Sequence, residues 1–123
     1  LTVGILGDKT LPILEIKPAE GFYDYQAKYV SDNTEYSFET GLSPELTKQI
    51  QDQARRAFEA LGCRDLGRVD FILDGQGRSY FLEVNTLPGF TSHSLVPKAA
   101  ARIGVSFEEM CEEIVRMSLA RPI

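Results

Sequence analysis

GRVDFILDGQGRSYFLEVNTLPGFTSHSL, residues 67–95, sets two apolar, β-type runs around the turn-forming DGQG, and a carboxylate interrupts each run. Asp70 sits among Val69, Phe71, Ile72 and Leu73, and Glu83 among Phe81, Leu82 and Val84. The stretch reads as a buried β-hairpin. With Gln76-Gly77 as a two-residue loop, Asp70 faces Glu83 and Arg68 faces Asn85. Side chains alternate along a strand, so these four polar residues share one face. A slip of one residue would scatter them, which makes register the central expectation.

Working outward, LTVGIL and PILEIK form a second pair of short strands, with Gly7-Asp8 at the turn. Residues 19–42 carry Phe22, Tyr23, Tyr25, Tyr29 and Tyr36 without sustained periodicity. A stretch this long without structure of its own is usually functional or disordered, and the aromatic content argues against disorder. Ser43-Pro44 is an N-cap and first-turn pair, and Gly62 a stop. Between them Leu46, Ile50, Ala54, Ala57, Phe58 and Leu61 fall on one helical face. A further helix covers Leu95 to Ile103 and ends at Gly104. Ser106 and Glu109 match a capping box, with Phe107, Met110, Cys111, Ile114 and Val115 as a core-facing stripe behind it. The order β, β, loop, α, β, β, α, α predicts an α+β layer: a mostly antiparallel sheet with helices packed on one face.

The chain has 123 residues, 43% hydrophobic and 25% charged, within the ordinary range for one globular domain. Its net charge of −5 and lack of a basic run argue against nucleic acid as a partner. No run approaches the roughly 20 apolar residues of a membrane span. Cys63 and Cys111 form no metal or disulfide pattern, so a reducing cytoplasm is the expected compartment. The opening LTVGILG enters a strand at once, so the sequence is expected to be a segment of a longer protein.

Two carboxylates about 4 Å apart repel by roughly 4 kcal/mol at an effective dielectric of 20, so a facing pair calls for a cation. Oxygen ligands from Asp70, Glu83 and Asn85 suit Mg²⁺, which completes its shell with water and nucleotide phosphates. Two other readings stand beside this one. Arg68 and Asp70 would form an ion pair on a wet face, or the carboxylates would serve as a glycosidase pair, which needs a wider separation. The following EVNTLPGFTSHSLVP favours the metal reading. It leads through Pro88 and Gly89 into a Ser, Thr and His cluster before a helix, where backbone N–H groups can bind an anion or oxyanion. His93 fits a base, a substrate contact or a solvated loop residue.

RVDFILD, LEVNTLPG and TSHSLVP, together with FYDYQAKYVSDNTEY upstream, resemble the C-terminal part of the D-alanine–D-alanine ligases of the ATP-grasp superfamily. The resemblance spans essentially the whole chain. It implies an ATP-grasp C-terminal subdomain, with the N-terminal domain and most of the central lid lying elsewhere. It implies Asp70, Glu83 and Asn85 as ligands of two Mg²⁺ ions (or Mn²⁺), with Glu83 bridging them. Arg68 and the Gly89 N–H would stabilise a tetrahedral oxyanion, and Ser94 and Leu95 would hold the carboxylate of the second D-alanine. Lys28 would contact phosphate, and Tyr29 would close over the substrates. Phe22, Ile72 and Leu82 would surround adenine. Strict alternation puts Ile72 and Leu82 on opposite faces, so that last assignment needs a bulge or a curled strand.

The implied reaction joins two D-alanines through an acyl phosphate, at the expense of ATP, for peptidoglycan precursors. The alternatives are a D-alanine–D-lactate or D-alanine–D-serine ligase, and a non-catalytic Mg-nucleotide module. Tyr29 favours the dipeptide. A homodimer of the full-length enzyme is compatible with the family. The segment by itself is expected to lack turnover.

Overall fold

The computed structural model describes residues 1–17 and 35–121. Five strands, β1 (Thr2–Leu6), β2 (Lys9–Lys17), β3 (Glu35–Ser37), β4 (Leu66–Leu73) and β5 (Ser79–Asn85), pair antiparallel in the order β3-β2-β1-β4-β5. The helices are α1 (Pro44–Ala60), α2 (Leu95–Arg102) and α3 (Phe107–Ala120). The expected α+β class and antiparallel sheet are present. β3 is an addition: Glu35–Ser37, within the stretch read as loop, pairs with Glu15–Lys17 and extends the sheet.

Gly7-Asp8 closes the first hairpin, with Leu6 facing Lys9 and Gly7 at a φ of 59° that a side chain would strain. β2 bulges opposite Gly4, as the register slips between Val3 and Ile5. Pro12, which cannot donate to a ladder, lies in this irregularity. The helix signals hold. Ser43 Oγ accepts from the Leu46 N–H at 3.1 Å, Gly62 takes φ 73°, and the Ser106–Glu109 capping box forms in both directions.

The helices lie on both faces of the sheet, not one. Ile50, Ala54 and Phe58 of α1 pack on Val3, Ile5, Ile13, Val69 and Phe71. Val96, Ala99 and Ala100 of α2, with Met110 of α3, pack on Leu6 and Leu11 from the other side. Successive β1 residues point to opposite faces, and both sets are apolar: Val3 and Ile5 on one, Leu6 on the other. A central strand buried on both sides cannot leave one face wet. The expected α3 stripe is only partly core, because Met110 is buried while Val115 is 57% exposed.

The hairpin at 67–95 departs from the expected burial in the same way. β4 is largely buried, whereas β5 forms the sheet edge and leaves Tyr80, Phe81 and Leu82 about half exposed.

Candidate active site

The DGQG turn contains one residue more than the two-residue loop expected. Asp74 and Arg78 pair through Asp74 N–H to the Arg78 carbonyl at 2.9 Å, and Gly77 at φ 80° donates to the Asp74 carbonyl at 3.2 Å. This is a three-residue loop with its last residue left-handed. At the tip, therefore, Leu73 faces Ser79 and Phe71 faces Phe81. A bulge between Asp70 and Phe71 then leaves Leu82 as the extra residue. The two one-residue shifts cancel. Below the bulge Asp70 faces Glu83 and Arg68 faces Asn85, as the sequence predicts.

Two rows of residues cross three strands at this point. Thr2, Asp70 and Glu83 form one, and Gly4, Arg68 and Asn85 the other. Both lie on the face that carries α2. Arg68 and Asp70 are only 8% and 6% exposed, so their charges must be matched locally. Arg68 Nε donates to Asp70 Oδ1 at 3.1 Å and a terminal guanidinium nitrogen donates to Oδ2 at 3.2 Å, a two-point contact. The Thr2 hydroxyl adds a third donor to Oδ1 at 2.7 Å. The Arg68–Asp70 pair anticipated for a wet face is thus present, but it is buried.

Gly4 explains how α2 comes so close to these rows. A Cβ there would stand 2.9 Å from Leu11 Cδ1 and 3.3 Å from Val96 Cγ1. Only a residue without a side chain lets Val96 of α2 approach the sheet beside Arg68.

The segment after β5 folds back on itself. Asn85 Oδ1 accepts from the Leu87 N–H at 3.0 Å, which turns the chain at the strand end. Ser94 Oγ accepts from the Thr91 N–H at 3.0 Å and sits 2.9 Å from Thr91 Oγ1. Turned toward Thr91, the Ser94 side chain makes no capping bond to α2. Pro97 has no N–H, and the Lys98 N–H is bonded to the Ser94 carbonyl at 3.1 Å. The N–H groups of Leu95 and Val96 therefore stand at the open end of the helix, where an anion is favoured.

These parts surround one cleft of about 450 Å³, lined by Arg68, Asn85, Gly89, His93, Ser94 and Leu95 together with Tyr36, Leu87, Pro88, Val96 and Lys98. Of the residues named from sequence, Arg68, Asn85, Gly89, His93, Ser94 and Leu95 meet there. Asp70 reaches it through Arg68, and Glu83 lies next to Asp70 in the same row. Ile72 and Leu82 lie further along the hairpin, 55% and 54% exposed. The strand bulges at Leu82. Phe22, Lys28 and Tyr29 lie outside the described residues.

Asp70, Glu83 and Asn85 provide hard oxygen donors in adjacent cross-strand positions, a set that fits Mg²⁺. Among the described residues no group of three or more His, Cys, Asp or Glu side chains is placed to hold an ion. An ion here would draw on an amide and on ligands from outside the protein, the usual habit of magnesium.

A family model described as D-ala D-ala ligase C-terminus matches residues 1–116. The chain belongs to this family. The D-alanine–D-alanine ligases of Paraburkholderia phymatum and Burkholderia multivorans are 49% and 52% identical to it over 118 residues. Each match takes in 96% of this chain and 38% of the relative, so the chain spans well under half the length of these relatives. The D-alanine–D-alanine ligase of Bacillus anthracis complexed with ATP matches at a TM-score of 0.80 and 32% identity, over 96% of this chain and 37% of that one. The VanG D-Ala:D-Ser ligase of Enterococcus faecalis matches at 0.80 and 35%, over 94% of this chain and 35% of that one.

In this ligase C-terminus the sequence reading missed Thr2, Gly4, Tyr36 and Lys98. Lys98 carried a legible signal, since it follows Ser94 by one helical turn. Thr2 and Gly4 carried none, because their roles arise from pairing across strands. Among the described residues no helix is long and apolar enough to cross a membrane.

Proposed function

We propose that this D-ala D-ala ligase C-terminus is the catalytic part of a cytoplasmic, ATP-dependent D-alanine–D-alanine ligase that supplies peptidoglycan precursors. The observation that carries the reading is the meeting of Arg68, Asn85, Gly89 and the open N-terminus of α2 in one cleft. In the reaction, a carboxylate oxygen of the first D-alanine takes the γ-phosphoryl group of ATP and ADP leaves. The amine of the second D-alanine then attacks the acyl-phosphate carbonyl, loses a proton, and phosphate departs.

Phosphoryl transfer asks the protein for positioning and charge compensation more than for a nucleophile. Mg²⁺ held by Asp70, Glu83 and Asn85 would neutralise phosphate charge. Asp70, Glu83 and Asn85 would hold the two ions that the family resemblance implies, and Mn²⁺ would take the same ligands. Arg68, fixed by Asp70, presents its guanidinium to the oxyanion with the Gly89 N–H. The Ser94 hydroxyl and the Leu95 N–H hold the carboxylate of the second D-alanine. Ile72 and Leu82 would flank adenine, and the family resemblance assigns Phe22 to adenine, Lys28 to phosphate and Tyr29 to the substrates.

The test is phosphate release from Mg-ATP by the full-length protein that contains this segment. Release that needs only D-alanine, and that falls to background in Glu83→Gln, supports the ligase reading. A Glu83→Gln variant with normal turnover refutes the metal assignment, and no release with D-alanine refutes the substrate. The likeness to a D-Ala:D-Ser ligase supports a second reading, in which D-serine is the acceptor. Faster product formation when D-serine is added to D-alanine would select it.

A further inference from the structure

The cleft is lined by two basic side chains in a chain of net charge −5. Arg68, Lys98 and the open N-terminus of α2 line it, and no Asp or Glu does so among the described residues. The Arg68 charge is matched by Asp70 at 3.1 Å. Lys98 has no carboxylate partner among the described residues. Its Nζ lies 5.8 Å from the centroid of the Tyr36 ring, another lining residue, which comes from β3. A lysine this near a helix N-terminus opposes the helix dipole, and the first turn of α2 carries no acidic residue to offset it. The sequence thus places a cation where local helix physics disfavours one, on the side that faces the cleft.

An anion in the cleft removes that conflict. The uncapped N–H groups of Leu95 and Val96 and the Lys98 ammonium then act on the same negative charge. We propose that Lys98 is a specificity-determining residue of this cleft: steadied by the Tyr36 ring, its ammonium selects an acceptor that carries a free carboxylate. The proposal rests on the ligase reading and adds to it a residue that discriminates among acceptors. Lys98 is exposed on the helix surface, and Met or Arg keeps helix propensity there, so the variants fold.

The test uses the full-length protein with Mg-ATP, D-alanine as donor, and equal concentrations of D-alanine and D-alaninamide as competing acceptors. The readout is the ratio of acid to amide product, which is independent of the amount of folded enzyme. Lys98→Met should lower this ratio roughly two- to fivefold at low salt, the scale of one exposed charge contact. Lys98→Arg should keep it, and added salt should bring wild type and Lys98→Met together. An unchanged ratio overturns the assignment. So does a rise in the KM for ATP at constant ratio, which would place the anion on the nucleotide. A wild type that forms neither product refutes the ligase reading and takes the Lys98 assignment with it.

Discussion

Replacing Arg68 by methionine removes the guanidinium and keeps most of the side-chain volume. Asp70, 6% exposed, then loses two of its donors and keeps the Thr2 hydroxyl at 2.7 Å. With charge centres about 4 Å apart and an effective dielectric near 20, the lost attraction is about 4 kcal/mol. Breaking a buried pair from one side typically costs 3–5 kcal/mol. The retained Thr2 bond places the expected loss near the lower end, about 3 kcal/mol. Asp70→Asn should cost a similar amount from the other side, by stranding the arginine. The double variant Arg68→Met/Asp70→Asn strands neither charge, and it should recover at least about 2 kcal/mol of the summed losses. Urea unfolding followed by circular dichroism in magnesium-free buffer measures all three. A loss below about 1 kcal/mol in Arg68→Met, or strict additivity in the double variant, would show that the pair is solvated and the reasoning wrong.

Gly67 in β4 lies under α1, where a Cβ would stand 2.6 Å from Cε2 and 3.1 Å from Cδ2 of the buried Phe58 ring. A rigid ring cannot yield as a flexible chain end can, so Gly67→Ala should cost about 1–3 kcal/mol in urea unfolding, and Phe58→Leu in the same chain should recover part of it. Asp74 at the hairpin tip is held below the usual carboxylate value of 3.8, first by the Arg78 N–H and then by the Gln76 N–H, the Arg78 guanidinium and the Tyr80 hydroxyl. A lowered folded-state value means the contribution is present above 3.8 and is lost as pH falls through the folded value. The hairpin-tip amides should therefore lose protection against exchange, relative to their intrinsic rates, in that acid window. Asp74→Asn should flatten the response, whereas a pH-independent wild type would contradict it.

Much of this molecule is legible in its sequence because local rules govern it. The caps at Ser43 and Ser106, the stops at Gly62 and Gly104 and the Gly7-Asp8 turn follow from backbone chemistry within four residues. The pairing of Asp70 with Glu83 was also legible, though by a compensated route. The loop is one residue longer than the simplest DGQG hairpin, and the bulge at Leu82 restores the register below it. The family motifs around Asp70, Glu83, Asn85 and Ser94 carried the candidate site because they lie close together along the chain. Helix layering was not legible in the same way. Leu6 and Val3 are both apolar, and residue type alone does not say which helix covers which face.

The sequence by itself determined the elements other than β3, the hairpin quartet and the family, since each depends on residue type at short separation. Only the tertiary structure decided that Arg68 is clamped by Asp70 and Thr2 inside the protein. It alone showed that Gly4 admits α2 to the sheet, and that Lys98 and Tyr36 share the cleft. The physical reason is common to all three. Burial, close approach and charge compensation are set by which distant strands and helices become neighbours, and that choice is made by packing.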